Sequence, residues 1–183
     1  TIVATIAMVA TALTGKQAAL MVPTEILAEQ HMLTIEKLIQ GTSLKAVLLT
    51  GSMNRSQKKR KELLAQIESG EANLIIGTHA LFQQDVNFKE LAFVVIDEQH
   101  RFGVQQRQAL AGKGAGVNVL QMTATPIPRT LAITAFGEMD TSILSEIPRG
   151  RQPIKTSWVR EQEMEQIFNF VERQIQEGRQ AYM

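Results

Sequence analysis

The sequence contains no cysteine, and this absence limits both its covalent chemistry and its metal chemistry. A chain without thiols forms no disulfide and no thiolate metal site, and such a composition fits a reducing compartment. Aromatic residues make up only 5% of the 183 residues, so any core must be mainly aliphatic. The formal net charge is +1, which is too small to indicate a polyanionic partner by itself. Binding to nucleic acid would therefore depend on where individual charges lie.

Long hydrophobic runs are missing as well. No apolar stretch approaches the roughly 20 residues that cross a bilayer, and no basic segment of the kind that starts a signal peptide is present. We therefore expect no association with a membrane. Residues 1–4 indicate a helix already under way, and residues 180–183 end within an apolar run. Both ends are typical of a piece of a longer protein.

What the sequence does contain is a repeated alternation of short apolar runs with helical patterns. Hydrophobic residues make up 44% and charged residues 20%, which is an ordinary balance for a globular domain. The apolar runs predict strands at residues 18–22, 44–49, 73–76, 91–96 and 117–122. Because helical patterns separate these strands, the sequence predicts βαβ units, a parallel sheet and an α/β fold.

A change of composition divides the chain near its end. Proline, glycine and arginine occur without periodicity at residues 148–153, and this composition predicts a linker. We therefore predict a first domain at residues 1–147 and the beginning of a second domain at residues 154–183.

The segment after the predicted linker has a pattern of its own. A β-like stretch runs to Val159, a helical pattern covers residues from about 161 to 177, and a further strand is predicted to start at Gln180. The two isolated aromatic residues of this segment, Trp158 and Tyr182, are expected to pack in a core. This pattern is typical of the opening of a second α/β domain.

Two adjacent carboxylates, Asp97 and Glu98, follow the apolar run at residues 91–96. Such a run predicts a strand buried on both faces, and ligands bind past the carboxyl ends of such strands. Because burying two carboxylates is costly, a role in cation binding or proton transfer is favoured. Asp97 suits Mg²⁺, which keeps several waters, and Glu98 suits accepting a proton from an attacking water. A pair of solvated acids at the start of a loop is the structural alternative.

The longer string at residues 95–103 is more specific than the two acids alone. It resembles the ATPase box of superfamily 2 helicases, in the DEQH form of the RecG family of bacterial ATP-dependent DNA helicases. Residues 22–31 and 77–83 resemble DNA-contacting motifs, and residues 122–131 resemble the motif that couples hydrolysis to movement. Residues 178–182 resemble the first strand of a second RecA-like domain. The resemblance implies a RecA-like parallel sheet sandwiched by helices, of the P-loop NTPase type.

The resemblance also implies cofactors, a partner and residue roles. ATP and Mg²⁺ are the implied cofactors, and DNA is the implied partner. The implied catalytic residues are Asp97, Glu98, Gln99 and His100, with Asp97 also a metal ligand. The implied DNA contacts are Pro23, Thr24, Thr50, Gly51, Ser52, Gly77, Thr78 and His79. The implied coupling residues are Thr123, Ala124, Thr125 and Arg129.

One departure from the family pattern concerns the phosphate-binding loop. The string Gly-x-x-x-x-Gly-Lys-Thr, which cradles the phosphates, does not occur in these 183 residues. Aligned on the pattern, Thr1 is its final threonine, which would contact the nucleotide and Mg²⁺; the alternative is that Thr1 is merely the end of the chain. We expect the first strand, the rest of this loop and most of the second RecA-like domain to lie outside these residues. We also expect the 183 residues alone to have little or no ATPase activity.

The DNA contacts implied by the resemblance have a physical logic of their own. They fall in three turns, at residues 23–24, 50–52 and 77–79, each directly after a predicted strand and therefore on one edge of the sheet. Hydroxyls, small residues and helix amino-terminal amides suit phosphate oxygens. Contacts of this kind carry no base information, so they predict sequence-independent binding. Ordinary caps and turns are the structural alternative.

Two other features of the sequence give weaker indications of function. The basic cluster at residues 58–61 could contact phosphate, but basic residues on a polar helix are usually a solvated face. His31 lies inside a predicted helix, where a structural or surface role is expected.

The family resemblance implies a parent protein that unwinds or remodels branched DNA, such as stalled forks and junctions, during recombination and repair of DNA damage. It would work in the bacterial cytoplasm, on the nucleoid. Two alternatives remain open at this point. One is a translocase of the transcription-repair-coupling type, whose box usually carries glutamate in place of Gln99. The other is a nucleic-acid-binding module that has lost its ATPase.

Overall fold

A computed structural model describes residues 1–52, 57–98, 102, 110, 112–125, 140–146 and 154–182 of the chain. The chain forms two compact units, residues 1–135 and residues 136–183. The first unit contains α1 (Ile2–Leu13), β1 (Gln17–Met21), α2 (Glu25–Leu38), β2 (Ala46–Leu49), α3 (Gln57–Ser69), β3 (Leu74–Gly77), a 3-10 turn (His79–Phe82), β4 (Leu91–Ile96) and β5 (Asn118–Gln121). Among the described residues, no helix is both long enough and apolar enough to cross a membrane.

The five strands form one sheet in the order β2-β3-β1-β4-β5. Every neighbouring pair in this sheet is parallel, so the predicted parallel α/β architecture is confirmed. The strand bounds differ from the predicted ones by at most two residues, and β4 has the predicted bounds. Helices α1, α2 and α3 also form where the sequence predicts helices.

Both faces of the sheet are covered by apolar side chains, as expected for parallel strands. On one face α1 and α2 pack through Ala4, Met8, Ala12, Ala28 and Ile35 against Ala18, Leu20, Val22, Leu74, Ile76 and Val95. On the other face α3 and the segments after β3 and β4 pack through Ile67, Leu81, Val86, Phe102 and Leu110 against Ala19, Met21, Val47, Leu49, Ile75, Val94 and Ile96. Within each central strand, alternate residues therefore point to opposite faces.

The buried side-chain amide of Gln17 stabilises the edge of the sheet at which the strands begin. Gln17, the first residue of β1, has only 2% of its surface exposed. Its side-chain Nε2 donates to the carbonyl oxygens of Ile67 and Ala72, at 2.8 Å each. Its Oε1 accepts from the amide of Glu90 at 3.0 Å. One side chain thus satisfies buried backbone groups from the end of α3, the approach to β3 and the approach to β4.

The second unit contains a 3-10 turn (Glu161–Glu163) followed by α4 (Met164–Gln176). Glu163 accepts from the backbone amide of Arg160 at 3.0 Å and closes the start of this helical segment. The predicted helix is therefore confirmed. The predicted linker at 148–153 lies outside the described residues, and the proposed domain boundaries stay a prediction.

Two expectations for this unit are wrong. The described residues 154–160 and 179–182 form no strand, because a strand is stabilised by paired neighbours and neither segment pairs within the described part of the chain. Trp158 and Tyr182 do not pack in a core, since 84% and 92% of their surfaces are exposed. An aromatic residue next to an unpaired segment has no layer of side chains to pack against.

Candidate functional site

All five strands end at the same edge of the sheet because all of them are parallel. The strand order places the turns after β2, β3 and β1 side by side, followed by the turns after β4 and β5. Backbone hydrogen bonds continue past the strand ends, as between the Asp97 amide and the Met21 carbonyl oxygen at 2.9 Å. The predicted DNA contacts therefore occupy one half of this edge. The predicted catalytic and coupling residues occupy the other half.

The Asp97 carboxylate is held by contacts at both of its oxygens. Oδ1 accepts from the amide of Glu98 at 3.0 Å, and Oδ2 lies 3.4 Å from Nε2 of His31 on α2. The contact with His31 is the main reason why the pKa of Asp97 lies below its ordinary range, although partial burial opposes the shift. Asp97 is therefore ionised at neutral pH. Its side chain remains 23% exposed, so the carboxylate can still be reached by a ligand.

Glu98 has a backbone φ of 52°, in the left-handed region that non-glycine residues rarely adopt. The chain therefore leaves the direction of β4 immediately after Asp97. Strained backbone of this kind is common at functional sites, which supports a functional interpretation of the two acids. The remaining predicted box residues, Gln99 and His100, lie outside the described residues, as does Arg129.

Phe102 attaches the segment after the two acids to the body of the domain. Its surface is only 8% exposed, and it belongs to the core on the α3 face of the sheet. The aromatic residue of the box string is thus a packing residue.

The residues at this edge fit Mg²⁺ in part. Within the described ranges, no group of three or more His, Asp or Glu side chains could hold a metal ion by itself. Mg²⁺ does not require three protein ligands, because it is usually held by one or two carboxylates together with waters and phosphate oxygens. An ionised, reachable Asp97 is a suitable ligand of this kind.

Thr1 lies at the same edge as Asp97. It precedes α1, whose other end leads through Gly15 into the start of β1, so the beginning of α1 lies at the carboxyl edge of the sheet. The fold therefore places the two predicted magnesium ligands at the same edge of the sheet.

Glu25 joins the turns on the other half of the edge. Its Oε1 accepts from the amide of Ser52 at 2.8 Å, and the hydroxyls of Ser52 and Thr50 are 3.0 Å apart. The hydroxyl and the amide of Ser52 lower the pKa of Glu25, and His79 adds a smaller attraction. The turns after β1, β2 and β3 thus meet around one carboxylate. The sequence offered only an acid in the first turn of α2, so the contacts of Glu25 could not be predicted.

The predicted DNA contacts differ in accessibility. Thr24, Ser52 and His79 are exposed, and the hydroxyl of Thr24 accepts from the amide of Leu27 at 3.3 Å, as expected for a helix cap. Pro23 and Gly51 are partly exposed. Three others, Thr50, Gly77 and Thr78, are buried. These three therefore have a packing role beside any contact with DNA, and their contact with DNA stays a prediction.

Three of the predicted coupling residues, Thr123, Ala124 and Thr125, form a compact turn after β5. The hydroxyl of Thr123 accepts from the amide of Thr125 at 3.1 Å, and Ala124 lies between them. Because β5 pairs with β4, this turn is the direct neighbour of the turn that carries Asp97.

The basic cluster on α3 separates into two parts. Lys58, Lys59 and Lys61 are exposed, in agreement with a solvated face. Arg60 is turned inward, and its Nη2 donates to Gln83 Oε1 and Asp85 Oδ2, at 2.8 Å each. Arg60 therefore attaches α3 to the segment after β3.

Comparison with known proteins identifies the family. The family model of the DEAD/DEAH box helicases matches residues 1–133. The chain belongs to this family. The matched residues include the whole sheet, the two acids after β4 and the turn after β5, so the family assignment covers every described part of the candidate site.

Several curated relatives of this chain are named ATP-dependent DNA helicase RecG. The chain is 53% identical over 183 residues to the ATP-dependent DNA helicase RecG of Bacillus subtilis (strain 168), covering 100% of this chain and 26% of the relative. It is 54% identical to the protein of the same name from Streptococcus pneumoniae serotype 4, covering 100% of this chain and 27% of that relative. The chain thus spans about a quarter of the length of these relatives. The resemblance to RecG is confirmed, and the transcription-repair-coupling alternative is not favoured.

Solved structures agree with this assignment. A structure of RecG bound to a three-way DNA junction is 36% identical, has a TM-score of 0.80, and covers 97% of this chain and 24% of that chain. A DEAD box protein from Methanococcus jannaschii is 23% identical with a TM-score of 0.50, covering 66% of this chain and 34% of the other, and shows similarity of fold alone. The RecA-like helicase fold implied by the sequence is confirmed.

Proposed function

We propose that this chain is part of an ATP-dependent DNA helicase that unwinds or remodels branched DNA. The observation that carries the proposal is the position of the ionised Asp97 and the strained Glu98, at the same sheet edge as three turns suited to phosphate. The similarity to proteins named RecG, and to a RecG structure bound to a three-way junction, supports branched DNA as the substrate.

At the nucleotide, Asp97 and Thr1 would hold Mg²⁺. Bound Mg²⁺ neutralises charge on the phosphates of ATP during phosphoryl transfer. Glu98 orients the attacking water and accepts its proton, while Gln99 and His100 complete the box. The lowered pKa of Asp97 keeps this ligand negatively charged at neutral pH.

At the DNA, the turn residues contact the phosphate backbone without reading bases. The residues assigned to this role are Pro23, Thr24, Thr50, Gly51, Ser52, Gly77, Thr78 and His79. The residues assigned to coupling hydrolysis to movement are Thr123, Ala124, Thr125 and Arg129. Because the turn after β5 is adjacent to Asp97 and Glu98, it is well placed to respond to hydrolysis.

The complete cleft needs the rest of the phosphate-binding loop and a second RecA-like domain, which begins at residues 154–183 in this proposal. The 183 residues alone therefore have little or no ATPase activity. The proposed substrate places the whole protein on the bacterial nucleoid, in the cytoplasm, in recombination and repair of DNA damage.

The role of Glu98 is tested in the full-length protein. Glu98→Gln keeps the size of the side chain but removes the base, so ATP turnover is abolished while nucleotide and DNA binding persist. Glu68→Gln changes an exposed acid on α3 and is the matched control, with turnover expected at the wild-type rate. Turnover by Glu98→Gln at the rate of the control would show that Glu98 is not the base.

A further inference from the structure

Helix α2 physically links the two halves of the site. It starts at Thr24, whose hydroxyl caps it, and Thr24 is among the proposed DNA contacts. His31 lies on the same helix, and its Nε2 is 3.4 Å from Asp97 Oδ2. At about 1.5 Å per residue, roughly 10 Å of helix separates the two residues. One element therefore contacts both the proposed DNA edge and the proposed magnesium ligand.

The position of His31 on α2 is fixed by packing. Ala28 and Ile35, three residues before and four residues after it, are 0% and 1% exposed and face the sheet. Residues at these spacings share one face of a helix. The imidazole of His31 is itself only 11% exposed. A shift or rotation of α2 must therefore change the distance between His31 and Asp97.

We propose that His31 is a positioning residue that holds the Asp97 carboxylate for Mg²⁺ and transmits ordering of the DNA edge to the nucleotide site through α2. The inference rests on the proposed function. With Oδ1 bound to the Glu98 amide and Oδ2 against His31, the carboxylate is restricted to one orientation. Groups that orient a metal ligand in this way affect metal affinity by about 10- to 100-fold when they are replaced.

The test uses three variants of the full-length protein. His31→Leu replaces the imidazole with an apolar side chain of similar bulk that has no hydrogen-bond donor. His31→Gln keeps a side-chain hydrogen-bond donor. Glu36→Leu, at an exposed position on the same helix but outside residues 22–31, is the matched control. The measurements are the Mg²⁺ concentration for half-maximal binding of a fluorescent ADP analogue, the affinity for a three-way junction without nucleotide, the stimulation of hydrolysis by that junction, and the thermal midpoint.

We expect His31→Leu to raise the half-saturating Mg²⁺ concentration by about 10-fold or more and to reduce stimulation by DNA. Junction affinity and thermal midpoint stay within the range of Glu36→Leu, and His31→Gln recovers most of the Mg²⁺ response. An unchanged Mg²⁺ requirement in His31→Leu would overturn the inference. So would a joint loss of junction affinity and thermal stability in both His31 variants, which indicates simple packing.

These measurements distinguish a failure of the proposed function from a failure of the role proposed for His31. If the wild-type protein shows no hydrolysis stimulated by DNA, the proposed function is wrong, while the Mg²⁺ dependence of ADP binding still reports on His31. If the wild type is stimulated and His31→Leu is stimulated equally at the same Mg²⁺ requirement, only the role of His31 is wrong.

Discussion

A side chain at Gly77 would collide with the neighbouring strand, because its Cβ would lie 2.2 Å from the carbonyl oxygen of Leu49. The situation at Gly51 is different. A Cβ there would lie 3.5 Å from Oε1 of Glu25 and from Cε1 of His79, at ordinary van der Waals distance. The two glycines in the proposed DNA-contact set thus differ: strand packing requires Gly77, and it tolerates a small side chain at position 51.

Because the two glycines differ in packing, we predict that replacing them with alanine changes the free energy of unfolding by different amounts. Gly77→Ala should lower the free energy of unfolding by about 1–3 kcal/mol, since the backbone of β2 must move to admit the methyl group. Gly51→Ala should leave the free energy of unfolding nearly unchanged. Denaturant unfolding of both variants checks the prediction, and equal stability of the two would contradict it.

Individual residues were predictable where their role is local. Asp97 is an example, because its position directly after an apolar run indicates a functional carboxylate. The contact between His31 and Asp97 joins residues that are far apart in sequence and close only in the fold, so no local pattern indicates it. Glu25 is a similar case, because its partner Ser52 lies beyond β2.

At the scale of elements, the start of α2 and the turn after β2 are joined by a carboxylate. Glu25 accepts from the amide of Ser52 at 2.8 Å, and contacts with Ser52 lower its pKa. The folded protein therefore favours the ionised form of Glu25. Its contribution to stability is present above the ordinary pKa of glutamate and is lost as the pH falls through the lower pKa of the folded state.

The lowered pKa of Glu25 predicts that the difference in stability between the wild type and Glu25→Gln depends on pH. The wild type should be the more stable protein at pH 7, and the difference in thermal midpoint should shrink as the pH falls below about 4. Glu29→Gln, an exposed acid on the same helix, is the control and should show no such trend. A difference that stays constant from pH 7 to pH 3 would refute the stabilising role of the carboxylate.

The existence of the elements and the parallel direction of the strands were predictable, but the order of the strands in the sheet was not. Five apolar runs gave five strands because strands buried on both faces need continuous apolar sequence. The order β2-β3-β1-β4-β5 depends on which strands pair, and this is decided by contacts between distant segments. The stretch before Val159 shows that a strand-like sequence is not sufficient. It has the pattern of a strand, but among the described residues it has no neighbouring strand to pair with, and it forms no strand.

At the scale of the whole molecule, the sheet order arranges the proposed activities along one edge. The DNA-contact turns, the acids after β4 and the turn after β5 follow one another across neighbouring strands. In this proposal, the structural effect of ATP hydrolysis is transmitted from the end of one strand to the end of the next. The chain spans about a quarter of its curated relatives, so in this proposal the motor is completed by the rest of the protein.

The turn after β5 offers a test of this transmission. In the full-length protein, replacing Thr123 and Thr125 with alanine removes the hydrogen bond between the Thr125 amide and the Thr123 hydroxyl. Hydrolysis stimulated by DNA should persist, while unwinding of a forked substrate should weaken. Equal loss of hydrolysis and unwinding would show that the turn serves the chemical step and would contradict a coupling role.

The most direct test of the central proposal measures ATP hydrolysis by the full-length protein with forked DNA and with linear duplex of the same length and base composition. An ATP-driven motor on branched DNA predicts faster hydrolysis with the fork at equal DNA concentration, and no preference between forks of different sequence. Equal rates with forked and linear DNA, or hydrolysis that ignores DNA altogether, would contradict it.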